Sequence, residues 1–187
     1  MTQITRRTLF AAAGTLAVAA PLRKLRAEDL QGADALHSLP ASKPVDIHFT
    51  TADGTARSIA DYAGHGVVLN LWATWCVPCV AEMPALDAFA RAVANDGVVV
   101  LPLSSDHAGA PAVQHFYAEH GITTLPVMLD PRGAAAHGLN VRGIPTTLII
   151  DRKGQEVAWL EGSADWSRPD LIAAVRRLVG QPRVDKA

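Results

Sequence analysis

Cysteine is scarce in this chain: 187 residues hold two, Cys76 and Cys79, in a single Cys-x-x-Cys. With no second pair left to form a structural bridge, the chain is no disulfide-stapled scaffold. A zinc ribbon is disfavoured on similar grounds, because it needs another cysteine pair or histidines at ligand spacing. The seven histidines (37, 48, 65, 107, 115, 120 and 137) are scattered. His115 and His120 are five apart, which turns them away from a shared helical face. An excess of positive charge is missing too. Residues 1–27 carry Arg6, Arg7, Arg23, Lys24 and Arg26 and no acid, so the remaining body has 12 basic against 18 acidic side chains, a net charge of −6. A mildly acidic body argues against nucleic acid as a partner. Internal repeats are absent. At 49% hydrophobic and 19% charged, the chain fits one globular domain with a substantial core.

What the sequence does have is concentrated in Leu71-Trp72-Ala73-Thr74-Trp75-Cys76-Val77-Pro78-Cys79. This stretch joins an apolar run to a helix-like pattern. Two sulfurs one helical turn apart can close a disulfide or share a metal ion. At a helix start the first sulfur faces unpaired backbone N–H groups and the positive end of the helix dipole. Both favour the thiolate, the form that attacks disulfides.

Taken in order, the chain opens with Thr5-Arg6-Arg7-Thr8-Leu9-Phe10 and an apolar run from Leu9 to Leu22. That is the layout of an export signal, and its paired arginines resemble the twin-arginine type. As a helix the run spans ~21 Å, short of the ~30 Å hydrocarbon core, so cleavage is expected over retention as an inner-membrane tether. Residues 28–44 read as a linker. Val45, Ile47 and Phe49 alternate with polar residues, and Asp53-Gly54 turns this strand into a second one over 56–59. Val67 to Trp72 reads as a central strand. The helix after it begins near Cys76, with Pro78 in its first turn, a kink expected at Pro84, and an end at Asn95-Asp96-Gly97. Val98 to Leu103 is the next strand. Asp106 or a neighbour caps a helix reaching His120, with Val113, Phe116 and Tyr117 facing inward. A short strand over 126–130 and a short helix over 132–137 follow. A hairpin then spans 146–160, and a last helix starts at Ser167 with Pro169 in its first turn. Residues 181–187 read as a tail. The alternation of strands and helices predicts an α/β mixed sheet with helices on both faces. It sets Cys76 at the carboxyl end of a central strand, where such folds place their chemistry.

Two stretches carry a specific resemblance. Asn70 through Pro84, containing Trp75-Cys76-Val77-Pro78-Cys79, and Val141-Arg142-Gly143-Ile144-Pro145-Thr146-Thr147-Leu148-Ile149-Ile150-Asp151 resemble the TlpA/ResA-like periplasmic thiol-disulfide oxidoreductases. The similarity covers roughly residues 45–180, the domain expected to follow signal and linker. It implies a thioredoxin fold with an amino-terminal β-hairpin and a central strand–helix insertion over 126–138.

The resemblance also implies roles. Cys76 is the exposed nucleophile and Cys79 the resolving thiol, a redox-active pair that needs no cofactor. Pro145 matches a cis-proline, an isomer adopted by only about 5–6% of X–Pro bonds and so not selected by sequence alone. The backbone of Ile144 is then expected to pair with an extended substrate segment, and Trp75 to flank the sulfurs. A lone glutamate on a helix is ordinarily a solvated residue. Glu82, however, lies three after Cys79 on the same side of the helix, and the branch carries a glutamate here that works near its thiols. Plain thioredoxin uses a buried aspartate on the preceding strand, where this chain has Asn70, which cannot titrate. Glu82 is therefore the expected proton carrier for Cys79.

The implied activity is reduction of specific protein disulfides outside the cytoplasm, in cytochrome c or cytochrome oxidase copper-site maturation. A membrane thiol reductase would supply the electrons, and the protein would act as a monomer. A dithiol oxidase is the rival within the enzyme class, and a Cu(I) carrier using both thiolates is the rival from another. A peroxiredoxin-type peroxidase is disfavoured, since Pro-x-x-x-Thr-x-x-Cys is absent.

Overall fold

The computed structural model describes residues 31–40 and 45–181. The export signal expected over 1–27 and residues 182–187 of the expected tail lie outside the described residues. The strands are β1 (His37–Ser38), β2 (His48–Thr51), β3 (Ala56–Ser58), β4 (Gly66–Trp72), β5 (Val98–Ser104), β6 (Met128–Leu129), β7 (Thr146–Ile150) and β8 (Glu156–Glu161). The helices are α1 (Val77–Val93), α2 (Ala110–His120), α3 (Ala134–Gly138) and α4 (Pro169–Val179).

Among the described residues, all eight strands form one sheet in the order β1-β8-β7-β4-β5-β6-β2-β3. Its centre is β4, where all seven residues are buried. It pairs in parallel with β5 from Gly66 opposite Val98 to Trp72 opposite Ser104, and antiparallel with β7. Such a strand must be apolar on both faces. Val67, Leu69 and Leu71 join one core with Phe49, Leu103 and Ile150. Val68 and Trp72 join the other with Met83, Phe89, Phe116 and Val175, contributed by α1, α2 and α4. Full burial of one such large side chain contributes roughly 1.5–3 kcal/mol, so both layers tie β4 down firmly. At its start, a Cβ on Gly66 would fall 2.5 Å from the Val179 Cβ; only glycine lets α4 close onto the strand there.

The expected amino-terminal hairpin is β2–β3, and β6 connects it to the sheet by pairing antiparallel with β2 and parallel with β5. Three local expectations need correction. Part of the stretch read as linker joins the sheet, with His37 opposite Trp159 on β8 and the two rings stacked at 4.6 Å. Edge pairing gives those backbone groups partners that composition does not reveal. The last helix starts at Pro169 rather than Ser167, whose hydroxyl donates instead to Asp165 Oδ1. Asp106 does not cap α2: the residue before that helix is Gly109, with φ 65°. The Asp106 carboxylate is occupied elsewhere, by the loop that enters α1. Pro84 lies within α1, which runs unbroken through it to Val93.

Candidate active site

Cys76 and Cys79 are joined as a disulfide, with Cα atoms 5.2 Å apart. Cys76 is the residue before α1, in extended conformation at φ −88°, and its sulfur accepts the Cys79 backbone N–H at 3.3 Å. The geometry follows from the helix start. The first amides of a helix lack carbonyl partners, and here a sulfur takes the place usually filled by a serine or aspartate oxygen. Pro78, in the first turn, has no N–H to leave unpaired. Cys79 is fully buried; Cys76, expected to be the exposed thiol, is itself only 6% exposed, and it is the flanking Trp75 and Val77 that reach solvent, at 66% and 72%. The disulfide therefore sits at the floor of an apolar rim.

The Ile144–Pro145 peptide bond is cis. It ends a loop that β7 carries to the carboxyl end of β4, and the Ile144 carbonyl oxygen lies 3.7 Å from the Cys76 sulfur. Residues 68 positions apart thus meet at one point. Trp75, Cys76, Cys79, Ile144 and Pro145 are brought to one end of the sheet.

Glu82 lies one turn deeper and is completely buried. That disposes of the solvated-face alternative. Asn70 Nδ2 donates to its Oε1 at 2.9 Å, while the Ala164 N–H and Trp166 Nε1 donate to its Oε2 at 2.8 and 3.1 Å. Asn70 also donates to Thr147 Oγ1 at 2.9 Å, its direct cross-strand neighbour on β7. Burial pushes the Glu82 carboxyl up to about 7, against three donors that pull it down. Desolvation wins because none of those donors carries a charge. Among the described residues, the Asn70 Oδ1 and Trp72 Nε1 atoms are buried without partners. Trp72 itself is core, stacked on Tyr117 at 6.0 Å.

Sequence reasoning missed two contributors. Trp166 completes the Glu82 cage from 84 residues away, and Asp106 holds Thr74 from 32 residues away. Neither separation leaves a local signal. Among the described residues, no group of three or more His, Cys, Asp or Glu is placed to hold a metal ion.

A central β4 that delivers a Cys-x-x-Cys to a helix start, opposite a cis-proline loop, defines a thioredoxin-type fold. Residues 37–173 match the Redoxin family, and the chain belongs to that family. It is 34% identical over 112 residues to the thiol-disulfide oxidoreductase ResA of Geobacillus kaustophilus, covering 59% of this chain and 62% of that one. To the thioredoxin-like protein YneN of Bacillus subtilis it is 36% identical over 110 residues, covering 58% and 64%. The chain thus spans less than two thirds of the length of these curated relatives. Among solved structures, the exposed lipoprotein thioredoxin Etrx1 of Streptococcus pneumoniae superposes with a TM-score of 0.60 at 30% identity, over 72% of this chain and all of that one.

Proposed function

We infer that the protein is a thiol-disulfide oxidoreductase in which Cys76 attacks and Cys79 resolves. The observation that carries this reading is the Cys76–Cys79 disulfide at the start of α1, its outer sulfur facing the Ile144 carbonyl. In the reduced protein, the Cys76 thiolate displaces one sulfur of a substrate disulfide as a thiolate and forms a mixed disulfide. Cys79 gives up its proton, attacks Cys76 and releases the second substrate sulfur. Two electrons pass to the substrate, and the Cys76–Cys79 bond returns. The backbone of Ile144, beside the disulfide, offers an extended segment of the substrate a strand-like partner, and Trp75 supplies apolar contact beside it.

Glu82 is the proton carrier for Cys79 in this reading. It sits one turn along the same helix in a sealed cage, and its proton affinity, raised to about 7 by burial, lets it take and return a proton near neutrality. Glu82→Gln should therefore change the pH profile of Cys79 alkylation and slow exchange; an unaltered profile and rate would remove Glu82 from the reaction.

The direction is reduction of particular protein disulfides outside the cytoplasm, in cytochrome c or cytochrome oxidase copper-site maturation, with a membrane thiol reductase as electron donor. The basic, apolar first 27 residues and the likeness to the exposed lipoprotein Etrx1 support a place outside the cytoplasm. The decisive experiment is Cys79→Ser in the full chain. Substrates are expected to accumulate as reducible adducts on Cys76, and their identity reads out both partner and direction. An inert Cys76 with no adducts defeats the exchange mechanism, and tight Cu(I) binding by the unaltered protein without disulfide reduction replaces it with a copper carrier.

A further inference from the structure

The segment between the end of β4 and the start of α1 has little of its own to hold it. Trp75 and Val77 are mostly in solvent, and Thr74 is half-buried. The Cys76 N–H donates to the Ala73 carbonyl at 3.1 Å, a local turn that does not register the loop against the sheet. In the oxidised protein the disulfide also ties Cys76 to α1. In the reduced protein, the form that attacks, that tie is gone. There α1 holds Cys76 only through the Val80 N–H on its carbonyl, at 3.0 Å, and the Cys79 N–H on its sulfur, neither of which refers it to the sheet.

Residues just past β5 supply a different one. The Ser105 N–H and Oγ both point at the Trp72 carbonyl, at 3.0 and 3.3 Å. Asp106 Oδ2 accepts the Thr74 N–H at 2.9 Å, and its Oδ1 accepts the Thr74 hydroxyl at 2.6 Å. A third donor, Ser104 Oγ, reaches Asp106 Oδ2 at 2.7 Å and also receives the Asp106 N–H at 3.0 Å. The carboxylate is 4% exposed, and these donors are all neutral. Ser104 stands opposite Trp72 in the β4–β5 register, so the clamp is referred to the rigid centre of the sheet. A buried carboxylate that grips one residue twice, through backbone and side chain, fixes both position and orientation.

We propose that Asp106 is a positioning residue for disulfide exchange, holding Thr74 and thereby the height and direction of Cys76 against the Ile144 loop. This rests on the exchange reading above and adds what keeps the reduced nucleophile in register. A misplacement of about 1 Å can cost about 100-fold in rate when geometry is part of the barrier. The clamp therefore governs reaction with a docked protein disulfide. It has much less hold over reaction with a small freely diffusing electrophile, which tracks thiolate fraction and access.

The test compares the reduced full-length protein with Asp106→Asn, Thr74→Val and Thr74→Ser, each checked for cooperative melting. Two rates are measured: reduction of insulin disulfides, and alkylation of Cys76 by iodoacetamide across pH. Asp106→Asn is expected to slow insulin reduction by about 10- to 100-fold while the alkylation profile stays in place. Thr74→Val, which keeps the backbone bond, should lose less, and Thr74→Ser should recover most of that loss. If Asp106→Asn does not fold, Thr74→Val against Thr74→Ser decides the matter. Folded variants that reduce insulin at the unaltered rate overturn the proposal. So does an equal fall in both rates, which would place the effect on the thiolate rather than on its position. An unaltered protein that is alkylated yet inert toward insulin, and whose Cys79→Ser variant traps no adduct, defeats the exchange reading itself.

Discussion

The first two turns of α1 present opposite environments on one helix. At its start, Cys76 lies under an exposed apolar rim of Trp75 and Val77, and its sulfur takes an otherwise unpaired amide. Six residues on, Glu82 is sealed from water, with both oxygens occupied by donors from β4 and from the segment leading to α4. The rim can meet a large partner and contributes little to stability. The cage can meet no partner, yet it sets the proton affinity of a group beside the chemistry. The rim and the carboxyl proposed to handle the proton are thus separated by about 9 Å of helix rise.

This contrast can be broken from the cage side first. Trp166 is fully buried, packs against Phe89 at 5.3 Å and donates to Glu82. Trp166→Ala should cost about 3–5 kcal/mol of unfolding free energy in a denaturant titration; a cost near that of a surface change would mean the cage collapses harmlessly.

The next effect is pH-dependent. Folding raises the Glu82 carboxyl from 4.5 to about 7, so over that window the folded state binds more protons than the unfolded one. Stability must then fall as pH rises through the window and level off above it. The fall attributable to this group is on the order of 3 kcal/mol. Subtracting the stability curve of Glu82→Gln from that of the unaltered protein should isolate it; parallel curves from acid to neutral pH would contradict the assignment. On the rim, Trp75→Ala should move stability by no more than about 0.5 kcal/mol. The same change should raise the KM for a protein disulfide, measured alongside a small disulfide that barely responds.

Much of this molecule was legible along the chain. The strand–turn–helix unit around Cys76 is visible because alternation and helical spacing act over one or two turns. The pairing of Asn70-to-Pro84 with Val141-to-Asp151 pointed to the cis-proline loop through resemblance. Less legible were the edge strand at His37, which exists because β8 offers unpaired backbone groups, and the task of Asp106. Spacing alone suggested a helix cap for that aspartate, but its carboxylate finds better-placed donors across the sheet at Thr74 and Ser104. Glu82 shows the same limit: its position relative to Cys79 is a matter of helix geometry, whereas its burial is not.

The sequence by itself determined the reactive pair and its place at a helix start after a central strand. These depend on covalent spacing, backbone sterics and periodic burial, which operate between near neighbours. Only the tertiary structure decided which groups surround that pair. Asn70, Ala164 and Trp166 meet Glu82 across separations of 12, 82 and 84 residues, and Asp106 reaches Thr74 across 32. Such contacts arise because a packed interior must satisfy every buried polar group, and which partners are within reach is known only once sheet and helices have closed together.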